Sequence, residues 1–291
     1  MRRWSWWLCI VLLLFVTACG SGPGPSAPAS ASRVTLDVAY TTGGAVLDVY
    51  EARGTEGPVF VLLHGCCGGK RDLTQLARGL AAEGATVFNA AWRSLPSGGR
   101  FPEVYEEAAC AVRFARARAG GRPITVVGWS DGALLGATVA LAGDAFGGGG
   151  AGARGGGGGG AGCVAGGSAQ ADAFVGVGAF LGWDGPVDPA QVNDRTTAFF
   201  GGGPEAVPEA WRAASPYTHL ATRPSLDIRL VVGSDDTLMA ANLTFAAAAR
   251  AAGHRAGVTV IDGAGHLDVL APSTAPGAAA VRAILGATTA R

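Results

Sequence analysis

The chain has 291 residues, of which 49% are hydrophobic and 15% charged, so it has ample apolar material for a globular core and too little charge for a disordered chain. Lysine plus arginine equals aspartate plus glutamate at 22 each, which gives a formal net charge of zero. This balance excludes the strongly basic field with which proteins attract nucleic acid, and we expect no nucleic-acid partner.

The first 18 residues are predicted to be a cleaved lipoprotein signal peptide. Arg2 and Arg3 precede an apolar run that is too short for a comfortable membrane span. The run ends in VTACG at residues 16–20, which resembles a bacterial lipobox and implies cleavage before Cys19 and lipidation of its thiol. Residues 19–32, rich in Gly, Pro, Ser and Ala, predict a flexible tether. We therefore expect an exported protein held by a lipid anchor at the cell membrane or envelope. An ordinary signal peptide with Cys19 merely nearby is the alternative.

Residues 33–291 are predicted to form one α/β domain, because apolar runs of strand length alternate with helical patterns. The first two strands are separated only by a glycine-containing turn, which predicts an antiparallel hairpin at one edge of a mostly parallel, eight-stranded sheet with helices on both faces. The predicted strands are 34–38, 46–50, 59–63, 86–89, 124–127, 174–178, 228–232 and 258–261. The predicted helices are 73–83, 102–119, 132–142, 240–252 and 275–285.

Two segments interrupt this alternation. Residues 147–168 are nearly all glycine and predict a mobile surface loop, because ordering such a segment costs more entropy than its few contacts offset. Residues 181–216 hold several large aromatic side chains among Gly and Pro and predict a small cap over the sheet edge. Trp92, Trp129 and Trp183 follow predicted strands, so they either line an apolar acyl pocket or simply pack the cap.

The sequence GWSDG at residues 128–132 lies between a predicted strand and a predicted helix. In that setting G-x-S-x-G is typical of a nucleophilic serine on a tight strand-to-helix turn, where glycines flank the serine because side chains would clash. The N-terminus of the following helix also favours developing negative charge. Ser130 is therefore the predicted catalytic nucleophile.

A serine at its ordinary pKa needs a base and an acid that orients the base. His266 lies in a glycine-containing loop after the last predicted strand and is the predicted base, whereas the other three histidines are predicted to be structural or on the surface. Asp236 follows the penultimate strand and is the predicted acid, with its neighbour Asp235 as the alternative.

The tetrahedral intermediate also needs backbone N–H donors. One is predicted to be the amide of Asp131, directly after the nucleophile. The second is predicted in the loop HGCCGG at residues 64–69, as the amide of Cys66 or alternatively that of Cys67. These two cysteines lack a surrounding cluster of His and Cys ligands, so no metal site is predicted.

An exported protein can form disulfides. Besides Cys19, the predicted mature chain has Cys66, Cys67, Cys110 and Cys163, and four cysteines allow three pairings. Pairing of adjacent cysteines is sterically poor, and we favour Cys110 with Cys163 because both lie on segments that flank the same central strand. The other pairings stay open.

Together the HGCCGG loop, GWSDG, Asp236 and the loop ending at His266 resemble the α/β-hydrolase family, nearest to its dienelactone-hydrolase-like and carboxylesterase branch. The order Ser, Asp, His is the order of that family. Dienelactone hydrolases use a cysteine nucleophile, whereas position 130 is serine, so the resemblance implies an esterase. We expect a serine hydrolase that cleaves small-molecule carboxylic esters through an acyl-enzyme and needs no cofactor. A peptidase or acyltransferase on the same scaffold, or a non-catalytic surface lipoprotein, are the alternatives.

Overall fold

The computed structural model describes residues 33–52, 54, 56–146, 162–183 and 191–289. The predicted signal peptide, the tether with Cys19, most of the glycine-rich segment and part of the cap lie outside the described residues. Among the helices within these ranges, none has both the length and the hydropathy that crossing a membrane requires.

Eight strands form one sheet in the order β1-β2-β4-β3-β5-β6-β7-β8. The strands are β1 (Val34–Ala39), β2 (Val46–Tyr50), β3 (Val59–Leu63), β4 (Thr86–Ala90), β5 (Ile124–Trp129), β6 (Ala173–Val177), β7 (Asp227–Gly233) and β8 (Arg255–Ile261). β1, β2 and β4 pair antiparallel, and every other neighbouring pair is parallel. This confirms the predicted α/β fold and its edge hairpin.

The parallel strands at the centre are apolar over their whole length because both of their faces are covered. All five residues of β3 are buried, as are all five of β6. The register aligns Leu63 with Gly128 and Gly128 with Gly176, so β3, β5 and β6 end side by side. Whatever follows these three strands is thereby brought together at the carboxyl edge of the sheet, where ligands bind in open α/β sheets.

Helices cover both faces of the sheet. They are α1 (Thr74–Ala82), α2 (Glu103–Arg118), α3 (Asp131–Ala142), α4 (Asp194–Phe200), α5 (Pro208–Ala214), α6 (Pro216–His219), α7 (Met239–Ala251) and α8 (Ala275–Thr289). Buried side chains of α2, α3 and α7 join the apolar core on one face, and those of α1 and α8 join the core on the other. The five predicted helices are present, and α4, α5 and α6 are additional helices, of which α4 and α5 lie within the predicted cap and α6 begins at its last residue.

The predicted mobile loop is shorter at its C-terminal end than the glycine pattern indicates. Cys163 forms a disulfide with Cys110 of α2, which confirms the favoured pairing, and it also forms a β-bridge with Thr41. The backbone N–H of Val164 donates to the carbonyl of Tyr40 at 3.1 Å. Residues from 162 onward are therefore anchored beside β1, because the disulfide and this short antiparallel contact outweigh the freedom of the glycines.

Candidate active site

Ser130 lies on a strained turn between β5 and α3. Its backbone has φ 54° and ψ −124°, a conformation that non-glycine residues rarely adopt and that costs on the order of 1–3 kcal/mol. A Cβ at Gly128 would lie 2.3 Å from the carbonyl oxygen of Gly132, and a Cβ at Gly132 would lie 2.2 Å from that of Leu63. The two flanking glycines are therefore required by close backbone approaches, as the motif predicts.

The strained turn is held by backbone hydrogen bonds to the neighbouring strand β6. The N–H of Ser130 donates to the carbonyl of Val177 at 3.1 Å, and the carbonyl of Ser130 accepts from the N–H of Phe180 at 3.1 Å. These bonds fix the serine next to Gly178 and Ala179, the two residues between Val177 and Phe180.

His266 and Asp236 are in direct contact. Nδ1 of His266 lies 2.8 Å from Oδ2 of Asp236. The other carboxylate oxygen, Oδ1, accepts from the backbone N–H of Leu238 at 2.9 Å, and the residue is only 5% exposed. Asp235, the alternative acid, is exposed and accepts a hydrogen bond from Ser234 instead. The structure thus pairs the histidine with Asp236.

Trp129 connects the histidine to the serine turn. Its ring lies 5.2 Å from that of His266, centroid to centroid, and its Nε1 donates to the backbone carbonyl of His266 at 3.4 Å. Gly178 lies directly beneath the His–Asp pair, since a Cβ there would be 2.8 Å from Oδ2 of Asp236 and 3.0 Å from Nδ1 of His266. Ser130 follows Trp129, and its backbone N–H donates to the carbonyl of Val177, the residue before Gly178. The three predicted catalytic residues therefore lie around Gly178.

The loop after β3 lies against the serine. A Cβ at Gly65 would be 3.2 Å from Cβ of Ser130 and 2.9 Å from the ring of Trp129, so only glycine permits this approach. The start of the loop is fixed by Trp92, whose indole stacks on His64 with 4.7 Å between ring centroids and donates from Nε1 to the carbonyl of His64 at 3.1 Å. Cys66, the residue after Gly65, follows directly after this contact with Ser130.

The carboxylate of Asp131 faces the predicted oxyanion hole. Burial raises the pKa of this carboxyl, and hydrogen bonds from the Cys66 thiol, the Asp131 amide, the Ser130 hydroxyl and the Cys66 amide act in the opposite direction. The hydroxyl of Ser130 lies 3.5 Å from Oδ2 of Asp131. The hydroxyl of Ser130 is therefore the donor that the structure places at this side chain.

Cys66 is a protonated thiol at neutral pH. Burial, its hydrogen bond with Cys67 and the negative charge of Asp131 raise its pKa to about 12. The thiolate is the reactive form of cysteine, so this environment disfavours Cys66 as a nucleophile.

A cavity of about 320 Å³ is lined by Asp131, the residue after Ser130, by Cys66 and by residues of the cap. Most of its walls are apolar or aromatic, while the polar lining includes Asp131 and Gln191; the aromatic lining residues are Trp92, Phe180, Trp183, Phe199, Phe200 and Trp211. Two of the three tryptophans predicted to line an acyl pocket therefore do so. Trp129 does not line it and packs on His266 instead.

A model of the alpha/beta hydrolase family matches residues 60–283, which is most of the chain. The chain belongs to the alpha/beta hydrolase family. Solved structures share the fold of this alpha/beta hydrolase. A truncated carbohydrate esterase from gut microbiota is 18% identical, with a TM-score of 0.65 over 90% of this chain and 99% of the other. A hyperthermophilic esterase from the archaeon Pyrobaculum calidifontis is 21% identical, with a TM-score of 0.65 over 89% and 83%.

A third similar structure is the butyrate-bound esterase Est2 of the planctomycete Thermogutta terrifontis, which is 17% identical, with a TM-score of 0.62 over 87% of this chain and 91% of that one. No curated protein sequence matches the chain. At these identities the three structures establish the fold of this alpha/beta hydrolase.

The other three histidines of this alpha/beta hydrolase have structural contacts. His64 stacks on Trp92, His219 contacts the carbonyl of Ala213 at 2.9 Å, and His254 is buried. Within the part of the chain that the structure describes, no three His, Cys, Asp or Glu side chains are grouped as metal ligands.

Sequence reasoning missed two features of the alpha/beta hydrolase site. Gly178 follows a strand without any motif around it, and its role depends on the packing of His266 and Asp236 above it. Asp131 was predicted to contribute its amide, whereas its side chain also faces the cavity; the position of residue 131 at the start of a helix is the one signal that bears on this.

Proposed function

We propose that this chain is a serine esterase that hydrolyses small carboxylic esters through an acyl-enzyme. The observation that carries the proposal is the Asp236–His266 contact above Gly178, next to a serine held in a strained turn. A carboxylate that accepts from Nδ1 of histidine fixes the tautomer in which Nε2 can accept a proton. The hydroxyl of Ser130 would supply the proton that Nε2 accepts.

The chemistry proceeds in two halves. In the first, Oγ of Ser130 bonds to the ester carbonyl carbon, His266 takes the hydroxyl proton, and the amides of Cys66 and Asp131 donate to the oxyanion. The bond between the carbonyl carbon and the alkoxy oxygen then breaks, and the alcohol leaves with the proton from His266. In the second, water attacks the acyl carbon with the same proton transfers, which releases the carboxylic acid and restores Ser130.

The cavity limits the acyl group. A volume of about 320 Å³ is at the small end of ligand cavities and suits short or single-ring acyl groups. The protonated Cys66 and the serine at position 130 support the esterase branch of the family over a cysteine-dependent dienelactone hydrolase.

A fluorophosphonate probe tests the nucleophile. We expect covalent labelling of the wild-type chain that is lost in Ser130→Ala and kept in the matched control Ser225→Ala, an exposed serine outside this cavity. A folded wild-type chain that resists the probe would favour the non-catalytic lipoprotein. A panel of short-chain esters and the corresponding amides, run on the same variants, distinguishes an esterase from a peptidase, and an added alcohol acceptor detects acyl transfer.

We further propose that the chain is exported and lipid-anchored through Cys19. The VTACG sequence at residues 16–20 supports the anchor, and the Cys110–Cys163 disulfide supports an oxidising compartment. Cys19→Ser is expected to lose the acyl mass and leave the membrane fraction. An unchanged membrane fraction would contradict the anchor.

A further inference from the structure

The polar groups beside the nucleophile are arranged for a positively charged ligand. The hydroxyl of Ser130 lies 3.5 Å from Oδ2 of Asp131, and the groups that lower the pKa of this carboxyl, which belong to Ser130, Cys66 and Asp131 itself, are all neutral. Burial raises the pKa of this carboxyl, so its environment stabilises the anion poorly. A cation in the cavity would supply the missing countercharge.

Gln191 provides a second acceptor in the same cavity. Its Oε1 is buried and has no hydrogen-bond partner among the described residues, although Gln191 lines the cavity. A buried acceptor without a donor costs on the order of 1–3 kcal/mol, so a ligand that donates a hydrogen bond there recovers this free energy. The surrounding aromatic rings also favour cations over neutral groups.

We propose that the preferred substrates are esters whose acyl group carries a protonated amine, which binds the carboxylate of Asp131. This inference rests on the proposed esterase function and names the substrate class for that site. An ammonium group has three donors and no acceptor, so it can pair with the carboxylate of Asp131, which lines the cavity.

The reach of the carboxylate sets the position of the amine. Oδ2 of Asp131 lies 3.5 Å from Oγ of Ser130, and a substrate carbonyl carbon about to react lies about 3–3.5 Å from that oxygen. An N–H to carboxylate hydrogen bond spans about 2.7–2.9 Å. The nitrogen therefore fits one or two carbons from the carbonyl, as in 2-amino or 3-amino acyl groups.

The test compares phenyl esters of propionate, 2-aminopropionate and N-acetyl-2-aminopropionate at pH 6, where a free α-amino group with a pKa of about 7.7–8.0 is protonated. The quantity measured is the ratio of kcat/KM for the amine ester to that for the propionate ester. We expect Asp131→Asn to lower this ratio about 10- to 100-fold relative to wild type, the range for a hydrogen bond to a charged group. Gln191→Leu should lower it less, and the exposed control Asp262→Asn should leave it unchanged.

The ratio cancels the intrinsic reactivity of each ester, because the same two esters are used with every variant. A ratio that is equal in wild type and Asp131→Asn overturns the inference while the proposed esterase stands. Absence of turnover for all three esters, with no fluorophosphonate labelling of Ser130, overturns the proposed function and this inference with it.

A measurement on the wild-type chain guards against a variant that fails to fold. Propylammonium should slow fluorophosphonate labelling of Ser130 at concentrations where propanol, its neutral counterpart, has no effect. Equal effects of the two compounds would contradict recognition of the charge.

Discussion

Gly178→Ala is predicted to disable the catalytic pair while leaving the fold in place. The added Cβ would lie 2.8 Å from Oδ2 of Asp236 and 3.0 Å from Nδ1 of His266, whereas ordinary contacts begin at 3.4 Å. Asp236 is buried and accepts from the amide of Leu238, so its carboxylate has little room to retreat. The ring of His266 is 32% exposed and is the group that must move.

The size of the effect follows from these distances. Restoring ordinary contact at 3.4 Å requires a displacement of 0.6 Å from Asp236 and 0.4 Å from His266. A misplacement of about 1 Å in a catalytic group costs about 10²-fold in rate, so we expect kcat/KM to fall about 10- to 100-fold. The backbone at φ +47° adds a strain of about 1–2 kcal/mol to the folded state.

The assay separates these two effects with a matched glycine. Gly44 has φ +87° in the turn between β1 and β2, and a Cβ there would meet no atom within 4 Å. Gly44→Ala therefore carries the backbone strain without the collision, and its kcat/KM on a short-chain ester should equal that of wild type. Thermal unfolding of both variants reports the strain. Activity of Gly178→Ala within twofold of Gly44→Ala would refute the placement of the His–Asp pair over residue 178.

Three further predictions concern the acid, the disulfide and the buried carboxyl. Asp236→Asn should lower kcat about 10⁴-fold by favouring the wrong histidine tautomer, whereas Asp235→Asn should stay within about threefold, and equal losses would contradict the assignment. Replacing both Cys110 and Cys163 by serine releases a loop with a sequence separation of 53 and should lower the free energy of unfolding by about 4 kcal/mol, from the entropy of the released chain. Dithiothreitol should produce the same drop in Tm in wild type and no drop in the double variant. Burial raises the pKa of Asp131, so the contribution of this carboxyl to stability is greatest below its unfolded pKa of about 4 and is lost as the pH rises through the higher folded pKa. The Tm of Asp131→Asn relative to that of wild type should therefore increase from pH 3 to pH 8. A Tm difference independent of pH would argue against a buried carboxylate.

The sheet was predictable because apolar content and turn residues mark each of its strands. The prediction is least accurate for β8, which begins at Arg255, three residues before the predicted start. Residues 255–257 are not an apolar run, and they are strand because their backbone pairs with β7 at the sheet edge. Local composition does not report such pairing.

The cap shows a second limit of sequence patterns. α4 and α5 have seven residues each, which is too short for an apolar period of 3.6 to be recognised. α4 is begun by Asn193, whose side chain accepts from the amides of Arg195 and Thr196, and the ring of Phe200 lies 4.1 Å from that of Trp211 in α5. A capping residue and contacts between aromatic side chains thus define these helices.

The predicted catalytic residues come together because the family order of their motifs matches the order in which strands end at one sheet edge. The same motifs constrain residue 131 only through its backbone N–H, so any side chain satisfies them. In this fold residue 131 begins α3, and side chains on the first turn of a helix lean back towards its N-terminus. They therefore point at the serine and the loop of Cys66. Position 131 is where a substitution can change which acyl groups bind without altering the turn that holds the nucleophile, and an aspartate there directs the choice towards cationic ones.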